Sequence, residues 1–174
     1  MKLNFRPLFI LLLSLSFLGA LPGISQTNIR CSSNEIEQVL LGNYDASTYQ
    51  NNDLKTSKTD ILSAILNEIN ADSLKEYILE MDQFKTRHSA SDTVSETSGI
   101  GAARRWAHKR MSAFNNGKPS LLLTGYLDFD VDMCGVMQHR NVIAVVPGSD
   151  PDLAECVLIE GHLDSRCESR CDTA

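Results

Sequence analysis

The stretch Glu155-Cys156-Val157-Leu158-Ile159-Glu160-Gly161-His162-Leu163-Asp164-Ser165 decides how the chain reads. An unbroken apolar run, Val157 to Ile159, ends at Gly161 and then sets a histidine and an aspartate two residues apart. In an extended chain, residues i and i+2 point to the same side. An imidazole and a carboxylate are therefore expected together at the carboxyl end of a buried strand. Open α/β sheets place their ligands and chemistry at that edge. One His and one Asp do not complete a metal site, so the chain reads as the front part of a longer enzyme.

Working back from this stretch, two further strand-like runs precede it. Leu121 to Val131 turns from apolar to alternating, and Asn141 to Val146 is nearly all apolar. Pro147-Gly148-Ser149-Asp150-Pro151 is a turn ahead of the last strand. Before the strands come helices. From Asp60, Ile61, Leu62, Ile65, Leu66 and Ile69 fall at helical spacing. A second helix is expected from Ser73, where Ser73-Leu-Lys-Glu76 has the form of a capping box, with Leu74, Tyr77, Ile78, Met81 and Phe84 as its core stripe. A polar loop follows Phe84. A third helix then carries Ile100, Ala103, Ala107, Met111 and Phe114 on one face and stops at Asn115-Asn116-Gly117. Helices followed by buried strands indicate a layered α/β domain.

The first 25 residues read as an export signal, to be removed: Lys2 and Arg6, then the apolar core Leu8 to Ala20, then the small residues Gly23-Ile24-Ser25. That core is shorter than the roughly 20 residues a membrane span needs, so no stable span is expected after cleavage. The mature protein is expected to be secreted or periplasmic. Residues 26–57, rich in Asn, Ser, Thr and Gln, form a polar lead-in with one helical turn near Val39-Leu40-Leu41. Residues 58–174 form the remaining domain.

Without Lys2 and Arg6 the balance is 14 Lys+Arg against 22 Asp+Glu, a net charge of −8. That acidity argues against nucleic acid as a partner, which needs a clustered basic face. Of the five cysteines, Cys156 sits in the apolar run and reads as a buried thiol. Cys167 and Cys171 are close enough in sequence to pair, although Cys-x-x-x-Cys alone serves equally for a disulfide or a metal. Asp128-Phe-Asp130-Val-Asp132 resembles the opening of a calcium loop. Such a loop wants Gly at position six and Glu at twelve, where this chain has Met133 and His139, so the run reads as the solvent face of a strand. His88 and His108 read as surface residues. No Gly-x-Ser-x-Gly elbow or phosphate-binding glycine loop is present.

For His162 and Asp164 two readings stand. A metal-binding histidine needs its other ring nitrogen held by an acceptor, and an Asp on the same face can do this. The plainer alternative is a loop histidine hydrogen-bonded to a local carboxylate.

Residues 141–165, an Asn-Val-Ile strand, a Pro-Gly turn, a second apolar strand and then His162-Leu-Asp164-Ser165, resemble the opening of the catalytic domain in the di-zinc aminopeptidases of metallopeptidase family twenty-eight (clan MH). Upstream, Arg87-His-Ser-Ala-Ser91 and the helix after it resemble that family's Arg-x-Ser-Gly-Ser lead-in. The resemblance covers roughly residues 74–174. It implies an αβα sandwich with a mostly parallel central sheet, here incomplete. It makes His162 a zinc ligand and Asp164 the carboxylate that orients it. It also implies two zinc ions in the complete protein, and removal of N-terminal residues from peptide substrates. The bridging Asp, the Glu–Glu pair and the late His of that family have no counterpart in these 174 residues, so the chain alone is expected to be inactive. A glutaminyl cyclase-like or carboxypeptidase-like enzyme on the same scaffold is the rival reading, and a non-catalytic exported binding module is the other.

Overall fold

The structure is a computed structural model that describes residues 28–50, 55–115, 121–150, 155–166 and 169–171. The export segment 1–25 and the Asn116-Gly117 helix stop lie outside the described residues. In chain order the elements are β1 (Arg30–Cys31), α1 (Asn34–Leu40), a 3-10 turn (Ala46–Tyr49), α2 (Lys58–Glu68), α3 (Ala71–Gln83), α4 (Gly99–Ala113), β2 (Leu123–Met133) and β3 (Val136–Val145).

The strands form one sheet in the order β1-β2-β3, antiparallel at both pairings. Leu123 faces Val145 and Asp130 faces Gln138 across the hairpin. Its two-residue turn is Cys134-Gly135, with φ of 55° and 83°. Two positive φ values match the right-handed twist of the strands, and glycine takes one without steric cost. The mostly parallel sheet expected from the sequence has no counterpart among the described residues, where both pairings are antiparallel.

Helix α4 lies on this sheet and makes the centre of the core. Ile100, Ala102, Ala103 and Ala107 are buried, and Leu123 meets them from β2. Alanine at three of these positions keeps the helix close to the strands. Two glycines bring the start of α4 against the preceding loop: a Cβ on Gly101 would sit 2.2 Å from the Thr93 carbonyl oxygen, and one on Gly99 would sit 2.4 Å from that of Asp92. Gly99 also has φ +75°.

The lead-in is more ordered than its polar composition suggests. Ser33 caps α1 by accepting from the Ile36 amide. Ile36 is 1% exposed, the most deeply buried large side chain, and its Cδ1 lies where Gly125 leaves room on β2. Arg30 pairs with Asp130 at 3.0 Å through both guanidinium arms. One apolar residue in a polar stretch anchors a helix when a sheet face waits for it.

Helices α2 and α3 form where their spacing predicts, but their apolar stripes are not core. Ile65, Leu66, Ile69, Leu74 and Ile78 are each more than half exposed. Amphipathic stripes of this kind need a partner surface, and no described element covers them. The start of α3 also differs. Asn70, not Ser73, is the cap, accepting from the amides of Asp72 and Ser73, consistent with the strength of Asn at that position. Helix α3 reaches α4 through Trp106, which stacks edge-on with Tyr77 and Phe84 and donates to Glu80 at 2.6 Å.

The run Val157–Ile159 is not a strand. These side chains are 89%, 79% and 91% exposed, and residues 155–166 carry no regular structure. A strand exists by pairing its backbone, and no described segment offers this one an edge. Cys156 is accordingly an exposed thiol, not a buried one. Cys171 pairs with Cys134 of the hairpin turn, with 5.5 Å between Cα atoms. Cys167 lies outside the described residues.

Candidate functional site

Although residues 155–166 lack regular structure, the part around Asp164 is fastened. The fastener is the loop after α3. The Arg87 amide donates to Ser165 Oγ at 2.8 Å, and the Ser165 amide returns a bond to the Arg87 carbonyl at 3.2 Å. The Arg87 side chain spans the gap, donating from Nε to the Leu163 carbonyl at 3.1 Å and from a terminal nitrogen to the Met81 carbonyl at 2.9 Å. One guanidinium thus ties the end of α3 to the segment carrying the His-x-Asp pair. A planar fork with several fixed donors suits such bridging.

The loop itself is held by local bonds. Ser91, buried, accepts from the Ile100 amide at 2.9 Å and so satisfies a free donor at the start of α4. Asp92 accepts from the amides of Val94 and Ser95, and these bonds hold its carboxyl below the usual carboxylate range. His88, read from sequence as a surface residue, is buried. Its Nδ1 accepts from the Ala90 amide at 3.1 Å, so the proton sits on Nε2, which donates to the Arg170 carbonyl at 2.9 Å. That bond, with the Cys134–Cys171 disulfide, draws the residues after the His-x-Asp pair onto the hairpin turn. His108, also read as a surface residue, is half-buried and stacks on Tyr126 at 4.7 Å. His139 is buried, bonds the Val136 carbonyl through Nε2 and packs against Phe129.

On this support, His162 and Asp164 meet as their spacing predicts. His162 Nδ1 lies 2.9 Å from Asp164 Oδ1. A carboxylate oxygen only accepts, so Nδ1 carries a proton, and in the neutral ring Nε2 keeps its lone pair. The imidazole is 96% exposed while Asp164 is 35% exposed. Asp164 Oδ2 in turn accepts from Ser89 Oγ at 3.3 Å. The order is therefore Ser89 to Asp164 to His162, ending in a solvent-facing nitrogen with a free lone pair. Such an arrangement presents one neutral imidazole to an electrophile or a metal ion.

The donor set fits one corner of a zinc site and no more. Zinc sites take three or four protein ligands, and no group of three His, Cys, Asp or Glu side chains that could hold a metal occurs among the described residues. Asp128, Asp130 and Asp132 are otherwise occupied. Asp128 holds Arg140, Asp130 holds Arg30, and Asp132 accepts from the Gly135 amide in the hairpin turn. No helix among the described residues is long and apolar enough to cross a membrane.

Sequence comparison gives the chemistry a context. Over 109 residues the chain is 31% identical to a probable zinc metalloprotease of Leptosphaeria maculans, which covers 60% of this chain and 25% of that protein. It is 32% identical over 117 residues to a probable zinc metalloprotease of Pyrenophora tritici-repentis (62% and 23% covered), and 31% identical over 110 residues to one of Pyricularia oryzae (60% and 22%). The chain therefore spans about a quarter of the length of the curated relatives it matches. No family model matches it, and neither does any solved structure.

Proposed function

We propose that this chain is the front portion of an exported zinc metallopeptidase that removes N-terminal residues from peptides, with two zinc ions in the complete protein. The observation that carries the reading is the 2.9 Å contact between His162 Nδ1 and Asp164. In the neutral ring it leaves Nε2 as the one unprotonated nitrogen, with Asp164 holding the tautomer. Similarity to three probable zinc metalloproteases supports the metal and the reaction class.

In this reading His162 holds one zinc ion through Nε2, and Asp164 keeps the ring in place without touching the metal. When bound, zinc supplies Lewis-acid polarisation of the scissile carbonyl and a water of lowered pKa. The chain's own residues do the positioning. Ser89 fixes the outer oxygen of Asp164. Arg87 fixes the backbone on either side of Asp164, donating to the Leu163 carbonyl and accepting from the Ser165 amide. The remaining ligands and the general base belong to residues outside these 174. The layered α/β sheet that such an enzyme needs would take the exposed Val157–Ile159 run as a strand and bury it on both faces. Export is supported by the signal-like residues 1–25 and by the Cys134–Cys171 disulfide, since such bonds persist in oxidising compartments.

The test is the coding sequence that follows Ala174 in the source DNA. The proposal expects a continuing frame with an Asp-rich turn, then adjacent glutamates and a late histidine. A stop codon directly after Ala174 would overturn it, because the remaining ligands would then not exist.

A further inference from the structure

A second polar feature, which His162 does not line, sits where the face of the β2–β3 hairpin meets α4 and the Thr93 loop. It is a pocket of about 380 Å³ whose wall includes four guanidinium groups, those of Arg30, Arg104, Arg105 and Arg140. Three are already engaged. Arg30 is bonded to Asp130 by both arms, and Arg140 to Asp128 while lying over the Tyr126 ring. Arg105 donates to the Val94 and Ser95 carbonyls.

Arg104 is different. It is 9% exposed, and among the described residues no hydrogen bond satisfies its side chain. Burial and the charge of Arg140 both press its pKa below the ordinary guanidinium value. A buried guanidinium is costly unless it is paired and hydrogen-bonded. Arg30 and Arg140 are bonded to carboxylates and Arg105 to carbonyls, whereas Arg104, which feels the charges of Asp128 and Asp164 only through space, is the guanidinium with its donors left for a ligand. A guanidinium fork matches a carboxylate in two parallel bonds.

We propose that the Arg104 pocket is a binding site for an organic carboxylate, held by the Arg104 fork with Gln138 and Tyr126 on the pocket wall. This inference does not rest on the peptidase reading, and its test contains no metal.

The experiment titrates N-acetyl-glycylglycine, its C-terminal amide and inorganic phosphate into the protein in chelator-treated buffer, following the Arg104 Nε–H resonance and the binding isotherm. Saturable binding of the acid is expected, with the Arg104 resonance moving. The amide and Arg104→Gln should each weaken binding at least about tenfold, the value of a charge-assisted pair. Arg104→Lys, which keeps the charge and loses the fork, should fall between. Equal binding of acid and amide overturns the proposal. So does phosphate binding without acid binding, acid binding that leaves the Arg104 resonance unmoved, or no binding at all. The resonance is read in the unaltered protein, so the outcome holds even if Arg104→Gln does not fold.

Discussion

Arg87 Nε lies 3.1 Å from the carbonyl oxygen of Leu163 and donates to it, joining residues 76 positions apart. With the paired Arg87–Ser165 bonds, this contact is what gives an otherwise unstructured segment a fixed geometry at Asp164. Arg87→Gln should therefore free the His-x-Asp segment while leaving the hairpin and α4 intact. A loss of about 1–3 kcal/mol is expected for the broken charged hydrogen bonds. Amide exchange is the direct reading, with the Ser165 amide losing protection and β2–β3 keeping it. Uniform exchange in both regions would show that the clamp does not act locally.

The Gly101→Ala substitution tests the packing of α4 on its loop. Its Cβ would meet backbone of Thr93, from 2.2 Å at the oxygen to 2.8 Å at Cα, and backbone cannot swing aside as a side-chain tip can. A cost of about 1–3 kcal/mol is expected from overpacking. A lower Tm than that of Ala102→Gly would be consistent. An unchanged Tm would mean that the loop yields freely.

Reducing the Cys134–Cys171 disulfide, or replacing both residues with serine, should loosen the far side of the site. Closing a loop across a separation of 37 contributes about 4 kcal/mol in the chain-entropy account. Limited proteolysis should then cut first between Ser165, which Arg87 still holds, and Arg170, which keeps its bond to His88. Cleavage that begins instead in α2 would argue against this.

Glu80 makes stability depend on pH on the acid side. Bonds from Arg110 and then Trp106 hold its carboxyl below the usual glutamate range. A depressed folded pKa gives stability that is present above the unfolded value and lost as pH falls through the folded one. The α3–α4 contact should therefore weaken below the ordinary glutamate pKa, and Glu80→Gln should flatten that part of the Tm-against-pH curve. An equally steep curve in the variant would remove Glu80 from the account.

What the sequence showed and what it hid divide along physical lines. Helices α2 to α4 follow from isoleucine and alanine spacing, and the strands β2 and β3 in part from two apolar runs, because these patterns report local periodicity; their antiparallel pairing through Cys134-Gly135 does not follow from it. The meeting of His162 with Asp164 follows from the i, i+2 rule for the same reason. The burial of Ile36 and His88 was not legible, since it depends on surfaces brought up from far along the chain, Gly125 in the first case and Arg170, 82 residues away, in the second. The clamp was visible only as the Arg87-His-Ser-Ala-Ser91 resemblance, without its contacts. For Val157–Ile159 the pattern says strand and the structure says open chain, because composition can ask for a pairing edge but cannot supply one.

The central claim is that His162, oriented by Asp164, is a zinc ligand through Nε2. The most direct test is a zinc titration of the protein with the ring nitrogens of its histidines read by 15N NMR. The account predicts that His162 Nε2 moves, weakly and reversibly since the described residues supply one ligand, while Nδ1 keeps its proton against Asp164; Asp164→Asn should weaken the response and His162→Ala should abolish it. Zinc shifting His88, His108 or His139 with His162 unmoved, or a response unchanged in His162→Ala, would contradict it.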